Sequence, residues 1–166
     1  HELLVSQGIA MNQEVTFMSD GGDSVRDLQL YMRPNAEHVL DYFHVAMRIT
    51  VLQQMARGLP PPVSTAAPPI VEVLESVRRY LWHGNFSRAL SLVEDLDDGL
   101  DILDDPPPEV RKLRRYLGEF SGYISNNAGF IPNYAERRRY GEAVSTAFVE
   151  STVNQVIAKR FAKKVA

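Results

Sequence analysis

Three observations predict a mostly helical α/β fold for this 166-residue chain. Two short strand-forming runs alternate with two helical ones over residues 14–59, the pattern of a small parallel sheet. A proline-rich stretch, residues 60–69, then interrupts the chain. Beyond it, apolar residues recur only at helical spacing.

Leu3-Leu4-Val5 reads as the tail of a helix stopped by Gly8. Glu14 to Ser19 contains Val15, Thr16 and Phe17, which favour a strand, and runs into the turn cluster Asp20-Gly21-Gly22-Asp23. A helix fits Ser24 to Tyr31, with Asp23 or Ser24 as its cap and Pro34 as its stop. His38-Val39-Leu40 is the second strand and ends at Asp41. From Phe43 to Leu59, Val45, Ile49, Leu52, Ala56 and Leu59 share one helical face, and Gly58 with the following prolines ends it.

After the linker, Ile70, Val73, Leu74, Val77 and Leu81 form one stripe, and Phe86, Ala89, Leu90, Val93, Leu96, Leu100 and Leu103 a second. His83-Gly84-Asn85 between them marks a helical hairpin, with Asn85 placed to cap the second helix. Pro106-Pro107-Pro108 breaks the chain again, and Val110, Leu113, Leu117, Phe120 and Ile124 make a third stripe that Pro108 opens. Asn126 to Gly129 and Ile131-Pro132-Asn133 read as loop. A last helix is expected from about Gly141 to Lys164, with Val149, Val153, Val156, Ile157 and Phe161 on its apolar side. The corresponding organisation is an α/β segment (1–59), a helical insertion (60–130) and a C-terminal part (131–166).

The chain has no cysteine, which excludes disulfides, a thiol nucleophile and thiolate-ligated metal. No apolar run approaches the length of a membrane span, and no basic-then-apolar leader is visible. The net charge of −3 hides an asymmetry. Residues 1–105 carry 7 basic and 16 acidic side chains, whereas residues 106–166 carry 11 basic and 5 acidic ones. A basic half suits a polyanion such as nucleic acid, although charged helix faces also simply meet water.

Open parallel sheets bind ligands outside the carboxyl ends of their strands. Asp20 and Asp41 stand at those two ends, and Gly21-Gly22 beside Asp20 allows close approach. Glu150 interrupts the apolar start of the last helix, with Asn154 four residues on along the same edge. Carboxylates on separate rigid elements are what a hard divalent cation selects. Each signal also has a plain structural alternative. Asp-Gly-Gly after a strand makes a turn, a lone Glu near an apolar face makes an ion pair, and Asp41 with His44 makes a helix cap with a local hydrogen bond.

Taken together, T-F-M-S-D-G-G-D-S-V-R-D-L-Q-L-Y (16–31), A-E-H-V-L-D-Y-F-H-V-A-M-R-I-T-V-L (36–52) and G-E-A-V-S-T-A-F-V-E-S-T-V-N-Q-V-I-A-K-R (141–160) resemble the ISKra-type insertion-sequence transposases. These are bacterial DDE transposases with a ribonuclease-H-like catalytic fold, and the three motifs occur in the family's order. The resemblance implies a partial ribonuclease-H-like fold carrying an all-helical insertion. It implies that Asp20, in S-D-G-G-D, is the second aspartate of the acidic triad and Glu150, in V-E-S-T-V-N, its glutamate. Asp41 and His44, in D-Y-F-H, match the family's acid-x-x-His signature; the family often has Trp at the position of Tyr42.

The catalytic set implied is therefore Asp20, Asp41, His44 and Glu150, with Asp20 and Glu150 as metal ligands. The cofactor implied is a pair of Mg²⁺ or Mn²⁺ ions, one activating water or a DNA 3′-hydroxyl and the other stabilising the leaving oxygen. The partners implied are transposon-end and target DNA and further copies of the chain, in the bacterial cytoplasm at the nucleoid. Arg137, Arg138, Arg139, Lys159, Arg160, Lys163 and Lys164 would contact phosphates. The triad's first aspartate would lie upstream of His1, so the chain reads as a partial transposase that is inactive alone. The competing expectation is a non-catalytic DNA-binding or helical interaction module, a decayed remnant of such an enzyme.

Overall fold

Thr16 pairs with Glu37, and the register continues through Phe17 with His38 and Met18 with Val39 to Ser19 with Leu40. These two parallel strands, β1 (Thr16–Ser19) and β2 (Glu37–Leu40), are joined through helix α1 (Asp23–Met32). The computed structural model that shows this describes residues 13–61 and 68–147, together with Ser6 and Val63. After β2 come α2 (Tyr42–Arg57), α3 (Ile70–Trp82), α4 (Phe86–Asp101), α5 (Pro108–Asn126), a 3₁₀ turn (Ala128–Phe130) and α6 (Tyr134–Arg139). The class is the expected one, mostly helical α/β with a small parallel sheet. Among the described residues, no helix is long and apolar enough to cross a membrane.

The first strand starts two residues later than the sequence suggests and the second one residue earlier, and both end where expected, so Asp20 and Asp41 directly follow them. The α1 helix starts at Asp23, and Gly22, in extended conformation, takes the cap position in place of Asp23 or Ser24. Gln29 closes its far end: the buried side-chain amide donates to the carbonyls of Arg33, Pro34 and Ala36 at 3.1–3.2 Å. This satisfies carbonyl groups of the turn that follows the helix.

The helical stripes pack as their spacing demands. Val45, Ile49, Leu52 and Ala56 of α2 meet Leu74, Val77 and Leu81 of α3 and Leu113, Leu117, Phe120 and Ile124 of α5 in one apolar cluster. That cluster runs without a break from Val39 of β2 to Tyr134 of α6. The α3–α4 hairpin forms as predicted, with the Asn85 side chain accepting from the Arg88 N–H at 3.1 Å. Pro108 opens α5. Arg114 of α5 forks onto Asp97 at 2.9 and 3.2 Å and also binds Asp101, so part of the acidic run on α4 is neutralised across the helix pair.

One expected element is corrected. A helix from Gly141 does not form: residues 141–146 are non-helical, and the helical conformation begins at Ala147. Instead α6 occupies Tyr134–Arg139, capped by the Asn133 side chain accepting from the Glu136 N–H at 3.2 Å. Its acid lies in the first turn and its three arginines in the last, the arrangement that complements the helix dipole. Gly141, at φ +77°, lies in the left-handed region just beyond it. The N-terminal helix expected around Leu3 and the continuation of the last helix past Ala147 lie outside the described residues.

Candidate functional site

The parallel register sets Asp20 and Asp41 beside each other at the carboxyl end of the sheet, because Ser19 and Leu40 are partners. The Asp41 N–H donates to the Ser19 carbonyl at 2.7 Å, extending the ladder by one bond. From this shared position the two side chains reach opposite environments.

Asp20 is exposed. Its Oδ1 accepts from the Gly22 N–H at 3.0 Å, which shapes the turn into α1. Asp41 is 1% exposed. Its Oδ1 accepts from the Phe43 N–H at 2.9 Å and caps α2. Its Oδ2 accepts from the Thr146 N–H at 3.1 Å and from the Thr146 hydroxyl. The His44 Nε2 stands 4.0 Å from the same oxygen. The Tyr42 N–H donates to the Val144 carbonyl at 3.1 Å, so the returning chain is held by backbone as well.

The expected site residues therefore divide. The structure brings together Asp20, Asp41 and His44, but only Asp20 presents its carboxylate to solvent. Both Asp41 oxygens are used by protein donors, which leaves that carboxylate unsuited to ligating an ion. Among the described residues, no group of three His, Asp or Glu side chains could hold a metal. Glu150, Lys159, Arg160, Lys163 and Lys164 lie outside the described residues.

Of the three arginines, Arg138 and Arg139 are exposed. Arg137 is turned inward, with its side chain 12% exposed, and pairs with Glu37 of β2 and with Glu142 at 3.2 Å. The Arg137 hydrogen bond holds the Glu37 carboxyl below its ordinary range, against the opposing effect of burial.

A cleft of about 410 Å³ opens beside Asp20, between the β1–α1 turn and the C-terminal end of α5. Ser19, Gly22, Arg26, His38, Tyr123 and Phe130 contribute to its walls. Ser19 Oγ and His38 Nε2 are hydrogen-bonded at 2.8 Å. Burial, with the nearby Arg26 charge, pushes the His38 imidazole below its ordinary value and favours the neutral ring. Arg26 lies over the Phe130 ring, 4.8 Å from its centre, and Arg48 over the Tyr123 ring at 4.1 Å. The Tyr123 hydroxyl is pushed up to about 12, chiefly by burial; Arg48 opposes this, and the charges of Asp20 and Asp41 add to it.

Sequence reasoning missed Thr146, the Ser19–His38 pair and this cleft. Ser145-Thr146 ahead of an apolar run was a legible helix-start signal for the first. The other two depend on strand register and on helix packing, which have no local signature.

Comparison with protein-family models, with curated proteins and with solved structures finds no match to the chain.

Proposed function

We propose that this chain is part of a DDE transposase resembling the ISKra type, with its catalytic face at the carboxyl end of the β1–β2 sheet. One observation carries the reading. The first two expected acids follow neighbouring parallel strands, and Asp41 also captures Thr146, four residues before Glu150. Residues of three separated motifs thus converge on one sheet end. On this reading the sheet belongs to a ribonuclease-H-like fold, of which α3 to α5 form the helical insertion.

The roles that follow differ between the two aspartates. Asp20, exposed and rigidly placed by its turn, is the metal ligand in the described part, and Glu150 would be its partner. The divalent ion, Mg²⁺ or Mn²⁺, would supply charge neutralisation and Lewis-acid activation for phosphodiester cleavage and joining. Asp41 ligates nothing and holds the site's frame. Arg26 in the cleft, together with Arg138, Arg139 and the later lysines, would contact DNA phosphates. Arg137 serves the fold.

The buried, fully bonded state of Asp41 also suits the second reading, a DNA-binding or helical interaction module without catalysis. Metal-dependent nicking and joining of DNA by the full-length gene product separates the two. Loss of both steps in Asp20→Asn and in Glu150→Gln is expected of the transposase. Strand cleavage indifferent to both substitutions would sink it.

A further inference from the structure

We infer that the cleft beside Asp20 is a binding pocket for a phosphate group, held by Arg26, Tyr123 and the Ser19–His38 pair. The inference takes up only Arg26 from the transposase reading and needs none of its metal chemistry. Among the described residues, three buried side-chain polar atoms lack a hydrogen-bond partner. Two of them, His38 Nδ1 and Tyr123 Oη, belong to the walls of this one cleft. The third, Arg78 Nε, lies elsewhere on α3, 3.5 Å from the Glu75 carboxylate. Buried polar atoms are nearly always paired, so two orphans in a cavity of about 410 Å³ point to a ligand that completes them.

Counting protons gives the ligand's chemistry. Ser19 Oγ accepts from the Gly21 N–H at 3.3 Å and shares one hydrogen bond with His38 Nε2 at 2.8 Å. A serine hydroxyl and a neutral imidazole carry one proton each, and that bond uses one of them. In either tautomer the other is left over, on His38 Nδ1 or on the Ser19 hydroxyl. The buried Tyr123 hydroxyl is a second donor without an acceptor, since Arg48 over its ring can only donate. Arg26 adds charge: its guanidinium lies over Phe130 and, among the described residues, forms no ion pair, not even with Asp23 on the same turn of α1. The first turn of α1, which no side chain caps, forms part of the same wall. Asp20 and Asp23 are exposed, so water screens them, whereas the buried donors can be satisfied only from within the cleft. Donors from β1, β2, α1 and α5 thus line one cavity. A phosphate, whose tetrahedral oxygens accept from several directions at once, matches that set better than a planar carboxylate.

The 166-residue chain is titrated with orthophosphate, with thymidine 5′-monophosphate and with a short DNA duplex, each against sodium chloride of equal ionic strength, by calorimetry and thermal shift. Without ligand, Tyr123→Phe is expected to melt no lower than the parent, because the hydroxyl it removes has no partner. With ligand, its Kd is expected to rise about tenfold, and that of Arg26→Gln at least as much, the weight of a hydrogen bond between a charged and a neutral group. Arg88→Gln, at an exposed position outside the cleft, is expected to bind like the parent. Binding of orthophosphate or the mononucleotide, weakened in both cleft variants, supports a pocket for a free phosphate compound. Binding of the duplex alone, weakened in both, supports the same pocket filled by a DNA phosphate. No binding of any of the three, or binding that Tyr123→Phe and Arg26→Gln leave unchanged, overturns the inference. So does a ligand-free Tyr123→Phe chain that melts well below the parent, since its hydroxyl would then already be partnered. The nicking assay, which reads Asp20 and Glu150, decides the transposase reading separately.

Discussion

The buried Tyr134 hydroxyl donates to the Leu40 carbonyl at 2.7 Å, joining residues 94 positions apart. Leu40 is the last residue of β2, so this bond ties α6 to the strand end that carries Asp41. Burial holds the phenol well above its ordinary range and keeps it a donor. Tyr134→Phe leaves the carbonyl without that donor in an apolar setting. The expected cost is about 1–3 kcal/mol, read as a lower urea midpoint with an unchanged slope.

Two glycines should respond in opposite directions to alanine. Gly21 has φ +93°, and a Cβ there would stand 2.9 Å from both Asn127 Nδ2 and Tyr123 Cε2. Gly21→Ala is expected to cost about 1–3 kcal/mol through backbone strain and the clash with α5. Gly118 lies in the exposed middle of α5 with nothing within 4 Å of an added Cβ. Gly118→Ala should add about 0.5–1 kcal/mol, and thermal unfolding of the pair reads both signs at once.

The His38 imidazole has a lowered pKa in the fold, chiefly from burial and then from Arg26. The unfolded chain therefore binds this proton more readily than the folded one. The associated stability is complete above about pH 6.5, the unfolded value, and is lost as pH falls through the folded value. His38→Gln keeps a partner for Ser19 and cannot titrate. Between pH 7 and pH 5 its melting temperature should fall less steeply than that of the parent. Parallel melting curves for the two proteins would refute this assignment.

Arginines 137 to 139 are consecutive in sequence and unlike in role. Arg137→Ala removes links to Glu37 and Glu142 and should lower the melting temperature. Arg138→Ala and Arg139→Ala, at exposed positions, should change stability by no more than about 0.5 kcal/mol. If they contact phosphates, each should lower the slope of log affinity against log salt by about 1, measured by anisotropy of a labelled duplex. DNA affinity sensitive to Arg137 alone, with the melting temperature unchanged, would reverse the division.

The sequence was informative wherever a signal is local. Proline, glycine and asparagine marked the α3–α4 hairpin and the start of α5, and helical spacing identified the buried residues of α2 through α5. The ends of both strands were legible because Asp follows each. The α6 helix was not, because its six residues offer little apolar periodicity and one anchor, Tyr134, whose partner is distant. At the site, the positions of Asp20 and Asp41 could be read, but their different exposure could not. Burial of Asp41 depends on Thr146 arriving from 105 residues away, a fact of topology that no window of sequence contains.

The only tryptophan, Trp82, ends α3 and packs against two tyrosines. Its ring centre lies 4.7 Å from that of Tyr42 and 6.1 Å from that of Tyr134. Excitation energy absorbed by either phenol will pass to the indole at such separations, so the chain carries a built-in fluorescence gauge. Tyr42 adjoins Asp41, and Tyr134 holds the end of β2, so the gauge samples the frame of the strand ends without any label. Loosening of α6 or of the head of α2 will show as tyrosine emission that no longer drains into the single indole.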